Sequence, residues 1–395
     1  MTGYYSRTEP KPIDWLIVGA GPQGMTVAVH VRCRGVPSAN LRVLDPEPEP
    51  LACWRRRAAT VGMSSLRSPA WHHIDVARTS LLGYASATGR PLRSGDQCPS
   101  LELFDDHARH VIAGARIGDA RLAATAQGIE RARRGWRVDT DRGSVLARVV
   151  VLALGSADGG HWPGWARSLE RRGVSIGHLL EPWCPLSPSG SLAVVGGGLS
   201  AAQFALAAVR RGQGVTMFAR RPLRVASFDT HPRWFRGDAL VAYRAVRPIE
   251  RRWGELTRAR NPGTLTPAVA RCLARCLGEG PGRIRLVSDP IERVSARGTG
   301  ARFTFATGAV DVNHVVLATG FDQRLPGTTW IKRDARSLGL PLAANGHPLP
   351  DAWLQWAPGL YVCGALAELQ LGPTARGLAG GRQAAQLIVQ HAGNR

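Results

Sequence analysis

The sequence contains almost no lysine: of its 51 basic residues, only Lys11 and Lys332 are lysines. Acidic residues number 29, so the formal charge is +22. A GC-biased genome explains such a preference for arginine. Basic runs such as Arg55-Arg56-Arg57 also lack the interleaved aromatic residues of single-strand binders. We therefore predict no nucleic-acid partner, although the positive field should attract anions.

Long apolar runs are also missing. The run from Val149 to Leu154 is far shorter than the roughly 18 residues that a membrane span requires. The first 15 residues contain neither the basic nor the apolar region of a signal peptide. We expect a cytoplasmic protein with no membrane partner.

The seven cysteines include no C-x-x-C pair, the pattern of redox motifs and zinc knuckles. Their odd number and irregular spacing favour free thiols in a reducing compartment. Cys272 and Cys276 are one helical turn apart, but two thiolates without nearby histidines are typical of ordinary helix positions. We predict no metal site, and the sequence leaves the oligomeric state open, a homo-oligomer included.

A glycine-rich turn follows the first apolar segment, residues 13–18, and precedes a helical pattern through residue 31. In such a turn Gly19 permits the bend, Gly21 lets a pyrophosphate approach the backbone, and Gly24 lets helix and strand pack closely. The next strand ends in Asp45, 21 residues after Gly24, where an acid reads ribose hydroxyls. The complete βαβ unit favours that role over a purely structural turn residue.

The same design recurs halfway along the chain, with a strand at 191–195, Gly196 and Gly198 in the turn, and Ala201 in the third position. Its second strand ends in Arg220 and Arg221 instead of an acid. Arginine there suits the extra phosphate of NADP, although a solvated basic strand end is the alternative. We predict NADPH at this turn and FAD at the acid-bearing first turn, with hydride passing from NADPH to the flavin.

Two further buried strands, 149–155 and 314–320, end in glycine and close the two units. The sequence therefore predicts an α/β fold of two Rossmann-like dinucleotide-binding domains, with the NADPH domain inserted into the FAD domain. The predicted FAD domain comprises residues 10–188 and 321–395, and the NADPH domain comprises residues 189–320 with a helical insertion at about 222–281.

A last strand, 359–364, precedes a predicted helix from Pro373 to His391. Proline is tolerated at the first helical position, where its missing donor costs nothing. We expect this helix to direct its positive end at the flavin ring and to stabilise the negative charge that appears on reduction.

The two turns, the run Gly-Gly-Gly-Leu-Ser-Ala-Ala-Gln at 196–203, and Leu-Ala-Thr-Gly-Phe at 317–321 resemble the two-domain flavoprotein monooxygenases, nearest the ornithine and lysine N-hydroxylases. The resemblance covers most of the chain. Segments at 66–69, 72–73, 265–268 and 372–376 are similar to a little-characterised bacterial branch of FAD/NAD(P)-binding proteins near that group.

The resemblance implies that Trp54, Met63 and Ser64 lie beside the flavin, that Ser200 lies near NADPH, and that Gly364 and the following loop, with Pro373 and Thr374, lie at the isoalloxazine. Ser64, Asn313 and Phe321 depart from the hydroxylases, which have glutamine, aspartate and tyrosine there. These departures leave the substrate open.

His72 and His73 form the most conspicuous polar pair in a loop expected to face the flavin. Since free histidine titrates near neutrality, the pair could move a proton or hold a substrate carboxylate. The alternative is a loop that one imidazole anchors while the other is solvated.

Together these features predict an NADPH-dependent flavin monooxygenase that uses oxygen to N-hydroxylate a small amine or amino-acid-derived substrate through a C4a-hydroperoxyflavin. A flavin reductase or dehydrogenase that passes electrons to another acceptor is the first alternative. A non-catalytic module that binds FAD and NADP as a redox sensor is the second.

Overall fold

The structure is a computed structural model that describes residues 11–90, 92, 98–156, 158–182, 190–235, 237–327 and 329–393. Cys184 lies outside these residues, and Cys33, Cys53, Cys272, Cys276 and Cys363 are free thiols. Within the described residues, no helix is both long enough and apolar enough to cross a bilayer.

The strands and α-helices alternate through much of the chain. The strands are β1 (Ile13–Val18), β2 (Leu41–Asp45), β3 (Arg121–Ala123), β4 (Ala126–Ala132), β5 (Gly135–Thr140), β6 (Gly143–Leu152), β7 (Ile176–His178), β8 (Leu192–Val195), β9 (Val215–Phe218), β10 (Arg224–Val225), β11 (Thr264–Leu265), β12 (Ile284–Val287), β13 (Ile291–Arg297), β14 (Gly300–Phe305), β15 (Gly308–Val312), β16 (His314–Leu317), β17 (Gln355–Ala357) and β18 (Leu360–Val362). The helices are α1 (Pro22–Cys33), α2 (Ala52–Thr60), α3 (Ser80–Ala87), α4 (Leu101–Gly114), α5 (Gly164–Arg171), α6 (Leu199–Arg210), α7 (Gly237–Ala245), α8 (Arg252–Ala259), α9 (Pro267–Cys276), α10 (Ile331–Ser337), α11 (Glu368–Leu371) and α12 (Leu378–Ala392).

The first sheet has β1 at its centre, between β2 and β6, with all three strands parallel. Beyond β6 lies β18, also parallel, and the hairpin β4–β5 pairs with β6 as well. Residues Trp15 to Val18 are buried on both faces, which is why this strand is a continuous apolar run without alternation. This sheet takes strands from both ends of the described chain.

The second sheet is wholly parallel, in the order β12-β9-β8-β16-β7. The antiparallel sheet β13-β14-β15 contributes Phe303 and Phe305 to the core on one face of it. All strands of the second parallel sheet lie in sequence between β6 and β17 of the first sheet. The predicted fold, with one dinucleotide-binding unit inserted into the other, is therefore confirmed. The predicted boundary at 188/189 itself falls in the segment 183–189, outside the described residues, but β7, which lies before it in the predicted FAD domain, pairs with β16 of the second sheet.

The chain passes between the two sheets along adjacent paths. Gly160 and Phe321 form an antiparallel bridge, and the His161 N–H donates to the Gly320 carbonyl at 2.9 Å. Glycine-rich turns follow β1 and β8 at their carboxyl ends, the edge where open α/β sheets bind ligands.

The predicted insertion at 222–281 contains β10, α7, α8, β11 and α9, together with the 3₁₀ turns Pro232–Phe235 and Ile249–Arg251. Helix α9 packs on α6, as expected for a part of the second unit. Helix α8 instead packs on α11 and on the 3₁₀ segment Gly372–Arg376, which follow the last strand of the first sheet. The insertion therefore joins the two units.

Candidate functional site

The first glycine-rich turn has two glycines that the protein itself requires and one that faces open space. Gly19 has a φ of +111°, and a Cβ at Gly24 would overlap the Gly19 carbonyl oxygen. Around the Cβ position of Gly21, in contrast, no other described atom lies within 4 Å. Gly21 is also the N-cap of α1, where no side chain caps the helix among the described residues. An open glycine at an uncapped helix N-terminus fits a pyrophosphate.

Asp45 is held against this turn. Its Oδ2 accepts a hydrogen bond from the Ala20 N–H at 2.6 Å, and its Oδ1 accepts one from the Glu47 N–H at 2.9 Å. These are contacts of a structural turn residue. A carboxylate has about four acceptor sites, so both oxygens retain capacity for a ribose hydroxyl.

Gln23, one of the variable positions of the turn, ties α1 to the start of the last helix. Its Nε2 donates to the Ala375 carbonyl at 2.6 Å and to the Gly377 carbonyl at 3.3 Å. Its Oε1 is buried without a hydrogen-bond partner among the described atoms, and it would lie 3.2 Å from a Cβ at Gly364. Because a buried acceptor without a donor is costly, this atom is suited to accept a hydrogen bond from a bound group. Sequence reasoning missed Gln23, since the motif leaves that position unspecified.

The last helix begins later than predicted. Gly372–Arg376 form a 3₁₀ turn with Pro373 in its first positions, and α12 begins at Leu378 with Gly377 as its N-cap. Pro373 and Thr374 are buried in that turn, where the Thr374 hydroxyl donates to the Leu371 carbonyl at 3.4 Å. The uncapped N-terminus that Gln23 holds near Gly364 is therefore that of Leu378, and the predicted start at Pro373 is wrong.

Trp54, Met63 and Ser64 lie together. They line a cavity of 390 Å³ with Leu101 and three charged residues, Arg55, Glu102 and Asp105. Trp54 packs on Phe104 with a ring separation of 5.2 Å. Met63 contacts the cores of both units, which places this group at their junction.

The second turn follows the same design but is bordered by another loop. Gly196 has a φ of +146°, and a Cβ there would overlap the Ala318 carbonyl oxygen. Gly198 is the N-cap of α6, which no described side chain caps, and a Cβ on it would lie 3.4 Å from the Cα of Gly263. Ser200 is half-buried in the first turn of α6, and Ala201 is fully buried.

Arg220 and Arg221 follow β9, as predicted, and both side chains are exposed. Neither side chain makes a hydrogen bond or an ion pair with any residue that the structure describes. Two unpaired guanidinium groups beside a dinucleotide turn are suited to a phosphate, because arginine offers planar bidentate donors.

His73 is fully buried, and His72 keeps only 9% of its surface exposed. Both nitrogens of His73 are used by the backbone: Nε2 lies 3.2 Å from the Arg78 carbonyl oxygen, and Nδ1 accepts from the Asp75 N–H at 3.2 Å. His72 packs against Phe235 at 5.2 Å, and burial, aided by nearby Arg78 and Arg382, lowers its pKa to about 4. The expectation of titration near neutrality is therefore wrong for His72.

The insertion binds the loop after Gly364 through buried polar contacts that the sequence did not reveal. The Tyr243 hydroxyl donates to the Glu368 carbonyl at 2.9 Å, and Arg252 donates to the Leu369 carbonyl at 2.9 Å. The fully buried Glu368 carboxylate accepts from both Arg260 and Arg376. These contacts fix the position of the segment that leads into α12.

Two other cavities lie apart from the predicted residues. A cavity of 520 Å³ is formed by α10 and residues 339–346. One of 420 Å³ lies at the crossing between the units and is lined by Asp158, Trp162 and Glu181, among others. Neither contains a predicted site residue, and we assign no site to them.

Two parallel sheets, each with a glycine-rich turn at the carboxyl end of a central strand, define a protein with two dinucleotide-binding units. The sequence profile of the pyridine nucleotide-disulphide oxidoreductase family matches residues 16–240, more than half of the chain. The chain belongs to this family of oxidoreductases. No curated protein matches the sequence.

Solved structures resemble the fold over nearly its whole length. The ornithine N-hydroxylase of Kutzneria sp. 744, solved with reduced FAD, NADP⁺ and L-ornithine, is 18% identical with a TM-score of 0.74, covering 98% of this chain and 100% of that one. The L-lysine 6-monooxygenase of Pseudomonas syringae is 20% identical with a TM-score of 0.72, covering 96% and 99%. The cadaverine monooxygenase of Erwinia amylovora, bound to FAD, is 12% identical with a TM-score of 0.71, covering 98% and 95%. At these identities the likeness shows the fold.

Proposed function

We propose that this chain is an NADPH-dependent FAD monooxygenase that N-hydroxylates a small amine. The observation that carries the proposal is the pair of helix N-termini at two glycine turns, with an acid after one turn and two arginines after the other; among the described residues no side chain caps either helix or pairs with either arginine. A reaction that needs two dinucleotides in one chain is a hydride transfer between them. The oxygenase assignment draws on the likeness in fold to N-hydroxylases over more than 95% of the chain.

FAD would lie at the first turn. The pyrophosphate would sit on Gly21 and the N-terminus of α1, between the glycines Gly19 and Gly24 that shape the bend. Asp45 would accept hydrogen bonds from the ribose. The far end of FAD would lie near Gly364, where Gln23 Oε1 has no donor among the described atoms.

NADPH would lie at the second turn, with its pyrophosphate on Gly198 and the N-terminus of α6. Ser200 offers a hydroxyl in the first helical turn. Arg220 and Arg221 would bind the 2′-phosphate, and their exposure leaves both guanidinium groups free to do so. Their positive charge favours NADPH over NADH.

FAD, when bound, would supply the redox chemistry and the activation of oxygen. The chain's own part is to position and exclude water. Trp54 and Met63 present apolar surface at the junction of the units, and the N-terminus of α12 offers backbone N–H groups and a partial positive charge. The overall reaction would convert amine, oxygen, NADPH and a proton into hydroxylamine, water and NADP⁺.

His72 would act as a neutral group. With a pKa of about 4, it is too weak a base to take a proton from an alkylammonium ion near neutral pH. It could bind substrate by a hydrogen bond or by its ring face. His73, whose two nitrogens are both used by the backbone, would instead hold the loop in place.

The family match favours one alternative, a reductase that passes electrons from the flavin to a disulfide or another acceptor. Reduction of a disulfide by the chain's own thiols requires a cysteine pair, and the sequence contains no C-x-x-C. Burial also raises the pKa of Cys363 to about 12, which keeps that thiol protonated and unreactive.

The test measures NADPH consumption, oxygen uptake and product formation in one reaction. FAD-loaded protein is mixed with NADPH, oxygen and a panel of diamines, amino acids and arylalkyl amines, and NADPH loss, oxygen uptake and product mass are followed. Equal consumption of NADPH and oxygen with one oxygen atom added to an amine supports the proposal. Faster NADPH oxidation with an artificial acceptor than with oxygen, and no oxygenated product, would favour the reductase.

A further inference from the structure

Arg67 belongs to the first unit, but its guanidinium group donates hydrogen bonds to residues of the second unit. Its Nε donates to the Ser227 carbonyl at 3.0 Å, and its Nη2 donates to the Ala226 carbonyl and to the Thr264 hydroxyl oxygen, each at 2.8 Å. Burial lowers the pKa of Arg67, although Asp229 opposes that shift. Arginine remains charged nonetheless, so these three bonds are charge-assisted.

The three acceptors surround one small element. Residues 226 and 227 follow β10, Thr264 begins β11, and these two strands pair in parallel through Arg224 and Val225. Thr264 and Leu265 are almost fully buried, and Leu265 packs in the core that contains α6. We call β10, β11 and residues 226–227 the ribbon.

The ribbon holds the loop 261–263, whose last residue borders the second glycine turn. The Thr264 hydroxyl donates to the Asn261 carbonyl at 3.0 Å, and Arg224 donates to the Pro262 carbonyl at 2.7 Å. The next residue, Gly263, is the one whose Cα would lie 3.4 Å from a Cβ on Gly198. The loop 261–263, which borders the second turn, is therefore connected to Arg67 through Thr264.

We propose that Arg67 is a positioning residue for the second dinucleotide site, holding the ribbon and the loop 261–263 at the distance from Gly198 that admits the NADPH pyrophosphate. The inference rests on NADPH occupying that site, as proposed above. It adds a link between the units: a loop beside the flavin-side residues Met63 and Ser64 would set the affinity of the other cofactor. Lysine cannot replace this function, because an ammonium group lacks the planar fork that reaches three acceptors at once.

The test compares Arg67→Lys with Arg78→Lys. Arg78 lies further along the same loop, its side chain is exposed, and it makes no side-chain hydrogen bond or ion pair with any described residue, so its replacement controls for the change of residue type. Two quantities are measured on FAD-loaded protein: the apparent NADPH dissociation constant, taken from the NADPH dependence of the rate of flavin reduction without oxygen, and hydrogen–deuterium exchange at residues 224–227 and 261–265.

For Arg67→Lys we expect faster exchange in the ribbon and an NADPH dissociation constant raised on the order of tenfold, the effect of losing about one charge-assisted hydrogen bond. FAD content and kcat at saturating NADPH should not change, whereas KM for NADPH should rise. Arg224→Ala, which frees the loop from its other side, should raise the NADPH dissociation constant in the same direction. Arg78→Lys should match the wild type.

Faster exchange with an unchanged NADPH dissociation constant would overturn the link between the ribbon and the cofactor. Unchanged exchange in Arg67→Lys would overturn the role of Arg67 in holding the ribbon. A wild-type protein that binds FAD but not NADPH would instead refute the proposed function, and this inference with it.

Discussion

Glu368 offers the sharpest test of how the insertion is attached. Its side chain is fully buried, whereas its two partners, Arg260 and Arg376, keep 27% and 24% of their side-chain surface exposed. Glu368→Gln removes the charge and turns an amide NH₂ toward a guanidinium group. Removing one partner from a buried ion pair costs about 3–5 kcal/mol. Because water reaches both arginines in part, we expect a loss of about 2–3 kcal/mol here.

At about 2 °C per kcal/mol for a large domain, that loss corresponds to a fall in Tm of roughly 5 °C. Differential scanning calorimetry of the FAD-free protein measures it. Glu102→Gln is the matched control, because Glu102 is 80% exposed and lies 3.9 Å from its partner Arg90. Such surface pairs contribute about 0–1 kcal/mol. Equal Tm values for the two variants would refute the idea that Glu368 anchors the insertion.

Three further predictions follow from the site. Gly21→Ala should leave the Tm of the FAD-free protein unchanged, because the added Cβ enters open space, and should reduce FAD retention, measured by flavin absorbance, because that space would hold the pyrophosphate. Gly24→Ala should impair folding itself, because its Cβ would overlap the Gly19 carbonyl oxygen. Replacing Arg220 and Arg221 by glutamine should raise KM for NADPH about tenfold or more while leaving KM for NADH unchanged, and an equal effect on both cofactors would contradict a 2′-phosphate role. Burial lowers the pKa of four histidines to about 4. Since the unfolded chain then binds more protons between about pH 4 and 6.5, the denaturation midpoint should fall as the pH decreases through that window, and a flat profile would contradict the burial of these rings.

The fold could be predicted from the sequence because its signals are local. A strand, a glycine turn, a helix and the next strand together occupy only about 30 residues, and the bounds of β1 agree with its apolar run at 13–18. The start of α12 could not be predicted in the same way. Proline is as acceptable at the start of a 3₁₀ turn as at the start of an α-helix, so Pro373 marks Gly372–Arg376 instead.

Much of the candidate site depends on contacts between distant residues. Gln23 binds the carbonyl of Ala375, 352 positions away, and Glu368 binds Arg260, 108 positions away. No periodicity or motif records such pairs. The low pKa of His72 likewise arises from burial by segments that meet only in the folded chain.

The two turns share a sequence pattern but differ in what lies beside them. Gly21 faces open space, and the turn is joined through Gln23 to the Ala375 and Gly377 carbonyls just before α12, so the FAD side is preorganised by contacts within one unit. Gly198 is bordered by Gly263, which belongs to an exposed loop held through Arg67 and Arg224. A cofactor that stays bound gains from a rigid site, whereas one that exchanges at each turnover needs a wall that can move. The two dinucleotide sites therefore differ both in the residues after each turn, Asp45 or the two arginines, and in the segments that border them. We expect hydrogen exchange at 261–263 to respond to NADP⁺ but not to FAD.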